Sequence, residues 1–308
     1  MATIGRSWYG ESLRSPETQA SAALKMKIIL SRKGFDSSCG GAASPIFPDG
    51  SLFSLPIPSP DSPMTYDELR IGSRSVGPLV ETLTNGRVRG GDGAHLDPDL
   101  RQSTYGREPR WRPLFGQDGT AQAHLENEGV GVGDLFLFFG WFRRVEGTVA
   151  GTRFVPGAPD LHVLFGWLQV ARVIRVGQPE PEVPAWAAYH PHFHRDSEVR
   201  NTVYVARDEL RLTGMSAGPA GAGVFNRYRD ALRLTAPGHT RTGWRLPGWF
   251  FPGDGRPPLT YHGNRDRWSL AADHAMLRSV PRGQEFVLDV DHYPEAVEWA
   301  YGLVSGAA

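Results

Sequence analysis

Two apolar stretches, Leu135–Arg143 and Leu161–Ile174, constrain this chain most. The first reads Leu-Phe-Leu-Phe-Phe-Gly-Trp-Phe-Arg and follows a glycine-rich turn at Gly129–Asp134. The second follows a glycine-rich bend and is long enough for one long strand or two short ones. Near-continuous runs of aromatic and β-branched residues predict strands buried on both faces. Asn201–Ala206 predicts a further strand, and Pro294–Leu303 a C-terminal helix whose Ala296, Trp299, Ala300 and Leu303 share an apolar face. The 37 glycines and 25 prolines among 308 residues make about a fifth of the chain, against roughly 12% on average. Both residues interrupt helices, so long ordered loops and short strands are expected. The expected class is therefore α+β, a single domain rich in strands and loops.

The apolar run Met26-Lys-Ile-Ile-Leu predicts the first buried strand. Residues 1–25 lack a strand pattern and are read as a tail or a mis-called start, with the domain spanning 26–305. Pro48-Asp-Gly50 is a strong turn signal, Leu52–Ile57 is expected to close a hairpin, and Thr65–Arg70 to open a short helix. No apolar run approaches the ~20 residues of a membrane helix. The single cysteine, Cys39, rules out an intrachain disulfide and a cysteine-rich metal site, which favours the cytoplasm. Lysines plus arginines and aspartates plus glutamates number 33 each, so the net charge is zero. A chain gripping duplex DNA through phosphates alone would be basic, so any nucleic-acid contact must be local or limited to one nucleotide.

Five constellations carry chemical potential. Ser31, Arg32 and Lys33 follow the first strand and offer hydroxyl, guanidinium and ammonium donors to an anion, with Asp36 and Cys39 close behind. The alternative is a solvated loop. His95-Leu-Asp97-Pro-Asp99 places a histidine and two carboxylates at alternate positions, a set able to ligate a divalent metal or to move protons. The alternative is a polar turn. Gln117 precedes a segment in which Thr120 and His124 would share a helix face. His190, His192 and His194 alternate, as metal ligands on a strand would, although Pro191 argues for a loop. Asn264 and Arg265, between Tyr261 and Trp268, combine amide, guanidinium and aromatic groups able to hold a base.

Several of these segments carry a family likeness. Met26–Gly41, Ser44-Pro-Ile-Phe-Pro-Asp-Gly50, His95–Asp99, Phe115-Gly-Gln117 and Gly133–Arg143 resemble the nucleotide modification associated domain 3 family, over about Met26–Tyr301. The resemblance implies a place in a DNA nucleotide modification pathway, together with other proteins of a modification gene cluster, but not a reaction. A second likeness links Val132–Gly140 and Val163–Ile174 to the core hairpins of PUA-like domains of the ASCH and EVE groups. It implies a small β-barrel with an aromatic pocket near Trp141, Phe142 and Trp167.

Three functions compete on these grounds. The first is an enzyme acting on a nucleotide or a base in DNA, with Ser31, Arg32 and Lys33 on phosphate and Asp36, Asp97, Asp99 and His124 supplying acid–base or metal chemistry. Gln117, Trp141, Trp167, Asn264 and Arg265 would contact the nucleotide. The second is a non-catalytic reader of modified nucleotides using Trp141 and Trp167. The third is a metal-dependent small-molecule enzyme built on His190, His192 and His194. The cofactor and the identity of any metal are unknown at this level.

Overall fold

The computed structural model describes residues 26–147, 151–178, 182–195, 200–215, 218–253 and 255–306. The proposed tail, residues 1–25, lies outside them. The strands run in chain order as β1 (Lys27–Arg32), β2 (Ser44–Ile46), β3 (Ile57–Pro58), β4 (Arg70–Ile71), β5 (Arg74–Ser75), β6 (Ala94–His95), β7 (Leu114–Gln117) and β8 (Leu135–Glu146). They continue as β9 (Arg153–Phe154), β10 (Leu161–Arg175), β11 (Thr202–Ala206), β12 (Ala222–Val224), β13 (Gly243–Pro247), β14 (Trp268–Leu270), β15 (His274–Arg278) and β16 (Glu285–Asp289). Three α-helices, α1 (Gly77–Thr84), α2 (Gly119–Asn127) and α3 (Glu295–Ser305), complete an α+β fold.

The two apolar stretches form the long strands β8 and β10, paired antiparallel from Leu161 opposite Phe142 to Gln169 opposite Leu135. They are the middle of a mixed sheet in the order β16-β1-β8-β10-β11-β7. β1 runs parallel to β8 and antiparallel to β16. A second sheet, β13-β15-β14, contributes the buried Trp244 and Leu277. The expected C-terminal helix is α3, and its Ala296, Ala300 and Leu303 are buried as its periodicity requires.

The main sheet curls strongly. At ~4.8 Å per strand, β16 and β7 would lie roughly 24 Å apart in a flat sheet. Instead the Gln117 side chain at the end of β7 donates to Glu285 at the start of β16, at 2.6 Å. Phe115 of β7 likewise packs 5.1 Å from Phe138 of β8. The concave side is filled by Phe115, Phe136, Phe138, Phe165 and Tyr204, all buried. Among the described residues no backbone ladder joins β7 to β16, so the sheet does not close into the barrel that the PUA-like resemblance implies. The seam between the two edges is bridged by side chains. α2, which follows β7, reaches across it, with His124 Nε2 3.1 Å from Thr260 Oγ1 beside β16.

Two local expectations change. Leu52–Ile57 closes the hairpin only at its start, where Leu52 makes an isolated antiparallel bridge to Ile46; it does not continue as a full strand, and Ile57–Pro58 pairs instead with β6, because Pro56 and Pro58 lack the N–H that a continuous ladder needs. Thr65–Arg70 is not a helix. Its Thr65 N–H and hydroxyl bind the Glu68 carboxylate at 2.7 and 2.9 Å in a tight turn, and Arg70 then enters β4. No helix among the described residues is long and apolar enough to cross a membrane.

Candidate functional site

Strand alternation divides the Ser31-Arg32-Lys33 motif. The strand continues through Ser31 and Arg32, beyond its apolar run. Ser31 and Lys33 therefore face the concave side while Arg32 faces the opposite one. On the concave side, Ser31 Oγ, Lys33 Nζ and Gln117 Nε2 all donate to Glu285 Oε1, at 3.1, 2.7 and 2.6 Å. Lys33 Nζ also lies 4.6 Å from the Phe115 ring centre. The Glu285 carboxylate is fully buried, and its Oε2 has no hydrogen-bond partner. Ser31 and Lys33 thus hold an internal carboxylate, while Arg32 leaves the opposite face of the strand and reaches the rim shared by two cavities.

Next to this pair, two sequence motifs meet. The segment His95–Asp99 is tied at both ends, with His95 pairing with Ile57 and Asp99 exchanging backbone hydrogen bonds with Leu114. Its turn directs Asp97 inward, where Oδ1 accepts the Gly116 N–H at 2.7 Å. His190 and His192 come from the loop and short 3-10 turn at Pro191–Phe193, not from a strand. Their imidazole Nε2 atoms lie 3.4 and 3.6 Å from Asp97 oxygens, and His95 Nε2 lies 3.9 Å away. One ligand atom each from His95, Asp97 and His192 falls within a 4.8 Å span. Gly116 is needed here, because a Cβ on it would come within 2.2 Å of the His192 ring.

The electrostatics of this cluster are unusual. The Asp97 side chain is 5% exposed, yet no described lysine or arginine lies within 4 Å of it. Burial alone would raise its pKa, but the neighbouring His190 and His192 imidazoles hold it well below the ordinary carboxylate range. Burial drives His95 and His190 toward the neutral form. Asn201 fixes the orientation of His192. Its Nδ2 donates to the His192 carbonyl at 2.7 Å, so its Oδ1, 2.7 Å from His192 Nδ1, must accept from that nitrogen. The Nε2 atom is then the one that faces the Asp97 carboxylate, 3.6 Å away. A proton or a metal ion can sit between the two, and an imidazole anchored through its other nitrogen is the usual form of a metal-binding histidine. His95 Nδ1 is also buried without a partner.

His95, Asp97 and His192 line a cavity of about 150 Å³ with Arg32, Lys33, Asp36, Gln117, Asp118, Arg195 and Gln284. Arg195 forms an ion pair with Asp118 at its rim. Asp36 contributes from a tight turn in which its Oδ1 accepts the Ser38 N–H, the Ser38 hydroxyl and the Cys39 N–H, each at 2.7 Å.

Other residues singled out in the sequence lie apart. Asp99 is buried against Arg107 at 2.6 Å and the Tyr189 hydroxyl, and burial pushes its pKa up to about 6. His124 spans the seam to Thr260 outside the cavity, and His194 Nε2 is held by the Ala188 carbonyl. Trp167 is core: it packs on Phe225 and donates to the Ala220 carbonyl. Trp141 and Trp167 therefore do not share an aromatic pocket. Asn264 accepts from the Asp266 N–H, and Arg265 donates to the Pro252 carbonyl, so both serve a loop remote from the cavity. Glu285, Asn201, Arg195 and Gly116 went unread in the sequence. Only Glu285 carried a signal, a charge at the head of the apolar run Phe-Val-Leu.

The fold and the site together define an α+β protein with a buried imidazole–carboxylate centre at the seam of a curled sheet. The sequence model of the nucleotide modification associated domain 3 family matches residues 27–289, and the chain belongs to that family. No curated protein and no solved structure matches it.

Proposed function

We propose that this protein is a metal-dependent enzyme that modifies a nucleotide, with His95, Asp97 and His192 as the metal ligands. The observation that carries this reading is the charge of the cluster. A buried carboxylate faces the His192 imidazole and the His95 and His190 imidazoles, the last two driven by burial toward the neutral form, with no described lysine or arginine within 4 Å. Such a carboxylate is costly unless a cation completes it. Two imidazoles and one carboxylate suit a first-row transition ion and leave coordination positions open. A metal bound there would polarise a substrate oxygen or lower the pKa of a bound water.

The chain's own groups have distinct tasks. Asn201 holds the His192 ring, and the Gly116 N–H holds Asp97. Lys33, bound to Glu285, presents an ammonium toward the cavity that can donate to a substrate oxygen. Gln117 bridges Glu285 and the Asp118 N–H, fixing the cavity floor. Asp36 and Asp118 are the remaining carboxylates available for proton transfer. The family's link to nucleotide modification supports a nucleotide as the substrate. The reader alternative loses its main support, because Trp141 and Trp167 are separated.

Metal analysis of the purified full chain, after incubation with Zn²⁺, Mn²⁺ or Fe²⁺ and desalting, tests the centre. One equivalent of metal is expected in the wild type and none in His95→Ala or His192→Ala. A wild type that retains no metal overturns the assignment. Mass spectrometry of nucleosides, from DNA and from the free pool of cells with and without the chain, tests the reaction class. An unchanged nucleoside profile argues against an enzyme.

A further inference from the structure

Arg32, turned away from Lys33 by strand alternation, lines a second cavity of about 330 Å³. Its walls include Trp141 and His162, opposite each other across the β8–β10 pair, together with Arg241, Arg282 and Gln284. Three guanidiniums thus border one space whose lining holds a single carboxylate, Asp36, and that carboxylate is engaged by its own turn. No described aspartate or glutamate lies within 4 Å of Arg32, Arg241 or Arg282, whereas many other arginines of the chain have such partners. Arg32 is anchored through the Pro281 carbonyl at 3.0 Å, and Arg241 lies 4.3 Å over the Trp141 ring. Trp141 is held in turn by Asp160 at 2.8 Å. These contacts orient both guanidiniums without neutralising them. Like charges kept together in a half-buried cavity repel, and a bound anion relieves that repulsion.

We propose that this arginine cavity is a phosphate subsite, which holds the phosphate of a nucleotide whose reacting part enters the His95–Asp97–His192 cavity. Both cavities share Arg32, Asp36 and Gln284 as a common wall. Arg32 donors suit the oxygens of a phosphate in a paired, planar fashion. His162 accepts the Trp244 indole N–H at 3.0 Å and, being neutral, adds no charge of its own. The placement relative to the metal cavity rests on the function proposed above, but the phosphate site does not.

Calorimetric titration of the chelator-treated full chain tests it, with inorganic phosphate, a nucleoside, the matching nucleoside monophosphate and a short single-stranded oligonucleotide as probes. The monophosphate should bind at least about tenfold more tightly than the nucleoside, with Arg32→Gln and Arg241→Gln each weakening it about ten- to hundredfold. Arg245→Gln, whose partner is Asp273 on another face, should bind as the wild type does. Binding of the oligonucleotide but not of the monophosphate would keep the subsite and identify a nucleic-acid strand as the phosphate source. Equal affinity for nucleoside and monophosphate, with no binding of inorganic phosphate or oligonucleotide, overturns the proposal. Should the variants fold poorly, phenylglyoxal labelling of the wild type decides: phosphate must protect Arg32 and Arg241, and unprotected labelling overturns the site. His95→Ala should lose metal yet keep phosphate affinity, which separates failure of this subsite from failure of the metal centre.

Discussion

At the scale of single residues, Asp97 is the position under most tension. Its charge is buried, and the facing His190 and His192 imidazoles and the Gly116 N–H hold its pKa below the ordinary carboxylate range, so the ionised form favours the folded state. Asparagine keeps the acceptor for the Gly116 N–H and removes the charge. Metal-free Asp97→Asn is therefore expected to fall below metal-free wild type in stability, on the order of 1–3 kcal/mol in denaturant unfolding, while gaining nothing from added metal. A gain of stability in the metal-free comparison would mean that the buried charge opposes folding until a metal neutralises it. The sequence displayed His95-x-Asp97 and His190-x-His192 as two separate patterns. Their union was not legible, because Asp97 and His192 stand 95 positions apart in the sequence and only the tertiary fold brings them within 3.6 Å. Asn201 and Gly116 were invisible for a different reason: each acts through backbone or amide contacts that any loop residue of that type can make.

At the scale of elements, β1 shows how a boundary decides a function. An end at Leu30 makes Ser31, Arg32 and Lys33 one loop, but an extension to Arg32 sends alternate residues to opposite faces. Period-two patterning is readable, and what hid it was the change from apolar to polar residues at Ser31. The long strands β8 and β10, α2, α3 and β11 were legible from apolar pattern and turn residues. Thr65–Arg70 was not, because the Thr65–Glu68 contact that resembles a helix start also closes an isolated turn. The joined ends of β1 and β16 give a second test. Lys33→Met leaves the buried Glu285 charge with neutral donors only, and should cost about 3–5 kcal/mol in unfolding free energy. Adding Glu285→Gln to Lys33→Met should recover part of that loss. A single substitution costing under about 1 kcal/mol would mean that the pair behaves like a solvated surface one.

At the scale of the whole molecule, acid should loosen the packing of the second sheet on the first. His162 and His262 both lie where those sheets meet. Each accepts an N–H, from Trp244 at 3.0 Å and from Val280 at 3.3 Å. Burial pushes their pKa values down to about 3 and about 4. Between the unfolded value near 6.5 and these folded values, the unfolded chain binds more protons, so stability is fully present above about pH 6.5 and falls as the pH drops. The slope from each histidine approaches about 1.4 kcal/mol per pH unit. Equilibrium unfolding between pH 7 and pH 4 should show this decline, and His262→Gln should flatten it. An unchanged slope in that variant would exclude His262 as a source.

The unclosed curl of the main sheet has one more consequence. An open sheet ordinarily presents two raw edges, each a template on which another chain can add a strand. Here β7 and β16 turn toward each other, and the gap is filled by Gln117, Glu285, Lys33 and the span of α2. The polar groups that furnish the candidate active centre thus also keep the strand edges from neighbouring molecules. Emptying the seam would expose both edges to strand addition by a neighbouring molecule.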